Sequence, residues 1–261
     1  MKKEKEMPAL NKKNRKYEWH IFTAVLFGVG ITLWFMRNYL SDVYLAIISI
    51  GLPGIVAFLL QSMFNRNVGF PFWKYIDLKY LFIALMPFLG SCIILSLFFN
   101  ADAHLKFANS IGQISLFFVA VVCAEFAWRS YLQNVLVNRF NFLPGVVLVG
   151  ITWGFWNLFT EFLTSGPDSV NGFTVIMTFV QLIAISIFSG YIRRRSQSLI
   201  IVSLIHFSWI ILRFFPGGQF CSNCHELPFY IFQTAIWVFS AEIVIWRLLK
   251  SKKHNSKLTH N

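Results

Sequence analysis

The sequence predicts an all-α protein, a polytopic membrane helix bundle with about eight transmembrane helices. Three observations predict it. Of the 261 residues, 56% are hydrophobic and 18% aromatic, while only 13% are charged; a soluble domain carries about 25% charge to keep its surface in water. Mean hydropathy is +0.60. The apolar residues fall into runs of about 20, the length of helix that crosses a hydrocarbon core. This composition excludes a soluble globular enzyme and a disordered chain.

Taken in order, the spans are expected at 20–37, 43–63, 79–99, 111–136, 143–163, 172–192, 198–215 and 228–249. The first follows a basic segment, 1–19, with seven Lys and Arg. That segment looks like the start of a signal peptide, but the apolar run after it is long enough to span and no small-residue cleavage site follows. It is read as a retained cytoplasmic tail. The second and third spans flank a basic connection holding Arg66, Lys74 and Lys79, and the fourth and fifth flank Arg139. The sixth ends at Arg193, Arg194 and Arg195; the eighth runs into a basic tail, 250–261. Within the bundle, 20–249, all loops are short.

Formal net charge is +12, from 23 Lys and Arg against 11 Asp and Glu. No basic run carries a nucleic-acid recognition fold, so no nucleic acid is expected as partner. The excess sorts by side instead. With the N-terminus inside, 19 cations face the cytoplasm and three (Arg37, Lys106 and Arg213) face out, with Arg129 inside a span. This asymmetry predicts an even number of spans with both termini cytoplasmic. The lipid bilayer is the expected surrounding, and short loops point to a bacterial or archaeal cytoplasmic membrane.

A charge inside a span is costly and marks a functional hypothesis by default. The fourth span reads CAEFAWRSYLQNVL, with Glu125 and Arg129 four apart on one helix face. The fifth holds Asn157 and Glu161, again four apart, and the seventh holds His206 deep in an apolar run. Glu242, near Arg247, reads as an interfacial pair. Each has a plainer reading: a packing ion pair for Glu125–Arg129, interhelical glue for Asn157, a satisfied core residue for His206. Three helices bringing polar groups to similar depth favour one internal polar site.

These residues resemble the signatures of the CPBP family, the CAAX protease and bacteriocin-processing (Abi) group of intramembrane proteases. The family's Glu-Glu-x-x-x-Arg stands here as A-E-F-A-W-R, from Ala124 to Arg129. Its Phe/Trp-x-x-x-His is W-G-F-W-N, Trp153 to Asn157, and its His-x-x-x-Asn/Asp is H-F-S-W-I, His206 to Ile210. Order and spacing agree over about 105–215, the family's catalytic core. The resemblance implies a site of Glu125, Arg129, Asn157 and His206. The departures are equally specific. The presumed water-activating Glu is Ala124, the second-motif His is Asn157, and the third-motif Asn/Asp is Ile210. Amide hydrolysis needs a base for water and donors for the oxyanion. Ala124 supplies neither, and Glu125 lies about 100° further around the helix. Glu161, one turn beyond Asn157, is the possible rescue carboxylate.

Cys92 and Cys123 lie in spans and read as small apolar residues. Cys221, Cys224 and His225 form C-S-N-C-H in a loop expected outside, where the environment is oxidising. A local disulfide is the favoured reading; a metal clip and covalent haem attachment are the alternatives. No cofactor and no metal is otherwise expected. Three functions follow. The first is a degenerate, non-hydrolytic homologue binding a transmembrane or lipidated protein or peptide in regulation or assembly. The second is an active intramembrane endopeptidase with a rearranged site. The third is a redox or haem subunit using the C-x-x-C-H loop.

Overall fold

The computed structural model describes residues 17–64, 76–98, 111–166, 171–214 and 226–258. Among these, helices alone form the regular structure. In chain order they are α1 (Glu18–Met36), a 3₁₀ turn (Arg37–Tyr39), α2 (Asp42–Met63), α3 (Leu78–Phe98), α4 (Ile111–Glu125), α5 (Gln133–Phe140), α6 (Phe142–Ser165), α7 (Gly172–Ser196), α8 (Leu199–Phe214) and α9 (Glu226–Leu258). A π-helical segment, Phe126–Leu132, joins α4 to α5.

Each expected span has its helix. Among the described residues, six segments are long and apolar enough to cross a membrane by length and composition, and Leu78–Ile93 and Leu199–Ile211, in α3 and α8, are shorter apolar helices. Two ends differ from expectation. The fourth span continues to Phe140, and α9 runs on to Leu258 rather than stopping near 249. No Gly or Pro follows Pro228 within α9, and its Lys-rich end is made of tolerable helix formers, so nothing stops the helix where it leaves the apolar layer.

Two described turns between consecutive helices, α5–α6 and α7–α8, are tight. Asn141 alone separates α5 from α6, at φ 69° and ψ 178°, a strained backbone region that glycine alone adopts freely. Gln197 ends α7 in the left-handed region at φ 55°. Ser198 then starts α8, its Oγ accepting from the Ile201 amide at 3.4 Å.

Two helices form the centre. The α4–α5 segment and α7 bury most of their length, whereas α1 and α9 keep large apolar side chains such as Phe35, Ile31, Phe239 and Trp246 on the outside, where lipid would meet them. In lipid there is little hydrophobic drive between helices, so close approach rests on small residues. Gly54 of α2 lies against the backbone of Cys123, and Gly150 of α6 against Ile183 and Ser186 of α7. The first contact sets the helix that carries Glu125; the second sets the pair that carries Ser186.

This makes one prediction about packing. In Gly54→Leu, a Cβ would collide with the Cys123 carbonyl, and overpacking of this kind costs about 1–3 kcal/mol. Gly28→Leu, where no atom lies within 4 Å of an added Cβ, is the control. Thermal unfolding of the detergent-solubilised protein should show a clear loss of stability for the first and an unchanged midpoint for the second.

Candidate functional site

The structure brings Glu125, Arg129 and His206 into one buried network. Glu125 Oε2 accepts from Arg129 Nε at 3.1 Å, one turn along the helix. Glu125 Oε1 lies 2.9 Å from His206 Nδ1 on α8. Arg129 Nη1 donates to Ser186 Oγ on α7 at 2.8 Å, and Ser186 donates onward to the Val146 carbonyl on α6 at 2.6 Å. Four helices are thereby tied through one carboxylate and one guanidinium, all essentially inaccessible.

The network sits in an aromatic cage. Trp153 meets the His206 ring edge-on at 4.5 Å between centroids. Its face lies 5.4 Å from the Arg129 guanidinium carbon. Arg129 Nη2 is buried without a hydrogen-bond partner among the described residues, so the indole face is the compensation near this part of the cation. Trp209 stands beside His206 and donates to Gln181 Oε1 at 3.0 Å. Gln181 in turn donates to Thr234 Oγ1 at 2.8 Å, which extends the polar chain to α9.

The π-helical segment has a local role here. It carries Trp128, Arg129 and Ser130, and all seven of its residues are buried. A π turn widens the helix and changes which side chains share a face. Arg193, at the end of α7, donates to Ser130 Oγ at 3.3 Å and fastens this segment from the other side.

A cavity of about 420 Å³ opens beside the network. His206 reaches its wall, and so do Ala124, Asn157 and Ile210, the three positions at which the sequence departs from the family motifs. Spacing in the motifs therefore corresponds to a real convergence: residues from three helices meet on one space. Glu125 is not among the residues lining it. Its two oxygens are engaged behind the wall, while its neighbour Ala124 fronts the cavity. The sequence leaves open whether Glu125 turns toward Arg129 or toward His206; it does both.

Asn157 and Glu161 face the same cavity, with Thr160 and Thr164. Asn157 is not part of the Glu125 network. Its Nδ2 donates to the Trp153 carbonyl at 3.1 Å, a bond within its own helix. Trp156, also on the wall, donates to the Ser49 carbonyl of α2 at 3.0 Å. Glu242 forms no ion pair with Arg247; five residues apart, the two point about 140° away from each other around α9.

Sequence reasoning missed Ser186, Gln181 and the π-helical segment. Ser186 belongs to a polar-small run, Ser186, Ser189 and Gly190, in the middle of the span, which was the available signal. Cys221, Cys224 and His225 lie outside the described residues. Among the described residues no group of three His, Cys, Asp or Glu is placed to hold a metal ion, and Cys92 and Cys123 lie half-buried within α3 and α4.

Comparison with known proteins agrees with the motif reading. Residues 106–212 match the family model described as type II CAAX prenyl endopeptidase Rce1-like. The matched stretch is about two-fifths of the chain and contains Glu125, Arg129, Asn157, Glu161 and His206. It bears out the resemblance to the CPBP group. Comparison with curated proteins gives no significant match.

The network predicts an ordering of stabilities. Glu125→Gln leaves Arg129 buried without its counter-charge and should cost about 3 kcal/mol. Ser186→Ala removes one interhelical hydrogen bond and should cost about 1 kcal/mol. Chemical or thermal unfolding of the purified variants in detergent checks both. Equal losses would show that charge pairing is not what makes Glu125 matter.

Proposed function

Starting from an Rce1-like core in residues 106–212, we infer that this protein is a non-hydrolytic CPBP-type membrane protein whose cavity receives an apolar segment of a partner. The partner is a transmembrane or lipidated protein or peptide, and the role is regulatory or in assembly. One observation carries the reading: Glu125 is engaged by Arg129 and His206 away from the cavity, and Ala124 occupies the wall where the family keeps its water-activating carboxylate.

Magnitudes support this. General-base catalysis contributes about 10²–10⁴-fold, and one oxyanion donor about 10²–10³-fold. Ala124 removes the first, and Ile210 with Asn157 alters the second. Losing about 10⁴-fold or more leaves no useful peptidase. The space still offers an apolar segment an aromatic and aliphatic surface, from Val43, Ile50, Phe117, Trp156 and Trp209.

A second reading has its own observation. Glu161 lines the same cavity as Asn157 and His206, so a rearranged endopeptidase would use Glu161 as base, with Asn157 and His206 stabilising the oxyanion. The two readings separate in one experiment with a fluorescent prenylated peptide and purified protein. The non-hydrolytic reading expects binding without cleavage, and weaker binding in Ala124→Trp, which fills the cavity. It also expects cleavage to appear in the combined variant Ala124→Glu, Asn157→His, Ile210→Asn. Cleavage by the unmodified protein that Glu161→Gln abolishes would overturn it in favour of the second.

A further inference from the structure

A second cavity, of about 450 Å³, lies between α3, α7 and α9, away from the Glu125 network. Its rim carries three cations from three helices: Lys79 at the start of α3, Arg195 at the end of α7 and Arg247 toward the end of α9. All three are exposed, and none is in an ion pair with a described carboxylate. The Arg195 guanidinium carbon lies 5.6 Å from the Tyr191 ring, which holds it at the rim. Arg194 instead lies over Phe142, and Lys250 over Trp246; neither lines this cavity.

The walls are graded. One to two turns deeper on each helix stand apolar residues: Ile83 and Met86 on α3, Phe188 on α7, Ile243 on α9. Cations at the mouth with aliphatic and aromatic walls below match an amphiphile with an anionic head and hydrocarbon tail. A soluble anion would use the rim and leave the depth unused. Neutralising one rim cation without the others would still leave two, so recognition is by summed charge rather than by one residue.

We propose that this groove is a binding site for an anionic phospholipid, its phosphate held by Lys79, Arg195 and Arg247 and its acyl chains lying along α3, α7 and α9. Basic pockets between helices at the cytoplasmic surface recognise such headgroups by the same physics. These three helix ends are also the ones the charge asymmetry assigns to the cytoplasmic side.

The test is native mass spectrometry of the full chain, delipidated in a neutral detergent and titrated with phosphatidylglycerol or phosphatidylcholine of identical chains. Phosphatidylglycerol should bind the unmodified protein at least tenfold more tightly. Each of Lys79→Gln, Arg195→Gln and Arg247→Gln should weaken it roughly fivefold, and Arg194→Gln should change it less than twofold. Ile243→Trp, which narrows the groove and keeps every charge, should also weaken it, and millimolar inorganic phosphate should not compete. Equal binding of the two lipids, unchanged affinity in all three rim variants, or full competition by inorganic phosphate would each overturn the proposal.

Discussion

A carboxylate and a guanidinium buried together in a bundle that lipid surrounds set the terms for everything near them. An isolated charge at the centre of a bilayer costs about 2.5–3.5 kcal/mol even on lenient scales. Glu125 and Arg129 meet this cost by pairing at 3.1 Å and by drawing in partners from other helices. His206 takes the second carboxylate oxygen, Ser186 takes the guanidinium, and Val146 takes the serine. The positions of α6, α7 and α8 around the π-helical segment follow from satisfying that one pair. The aromatic residues of the cage then complete the shell, with Trp153 touching both His206 and Arg129.

The three positions that differ from the motif residues share one surface. Ala124, Asn157 and Ile210 all front the cavity, whereas Glu125, Arg129 and most of the hydrogen-bonding network lie behind its wall. A cavity can survive changes at its wall because its volume is set by helix positions, and those rest on the network rather than on the wall.

Much of this was legible in the sequence, for identifiable reasons. Spans show as uninterrupted apolar runs, and in such runs a single Glu or His is conspicuous, so Glu125, Arg129 and His206 could be singled out without any contact information. Four-residue spacing predicted the Glu125–Arg129 pair correctly. What spacing could not tell was rotation between helices: that Glu125 has two oxygens and reaches His206 with the one Arg129 leaves. Nor could it separate wall from interior, so Asn157 and Glu125 looked like members of one group when they lie on different sides of the wall. The π-helical turn was invisible because apolar and aromatic residues there fit an α-helix equally well. Glu242 and Arg247 looked like neighbours by number and are not, since five residues turn a helix too far. Lys79, Arg195 and Arg247 counted as cytoplasmic charge in the sequence; only their meeting at one groove distinguishes them from Arg194.

Glu125 ties α4 to α8 through His206. A double-mutant cycle of Glu125→Gln and His206→Asn, read by unfolding free energy in detergent, measures that tie directly. The account predicts a coupling of about 1 kcal/mol or more between two residues 81 apart in sequence and in contact in the fold. Strictly additive losses, with no coupling, would contradict it.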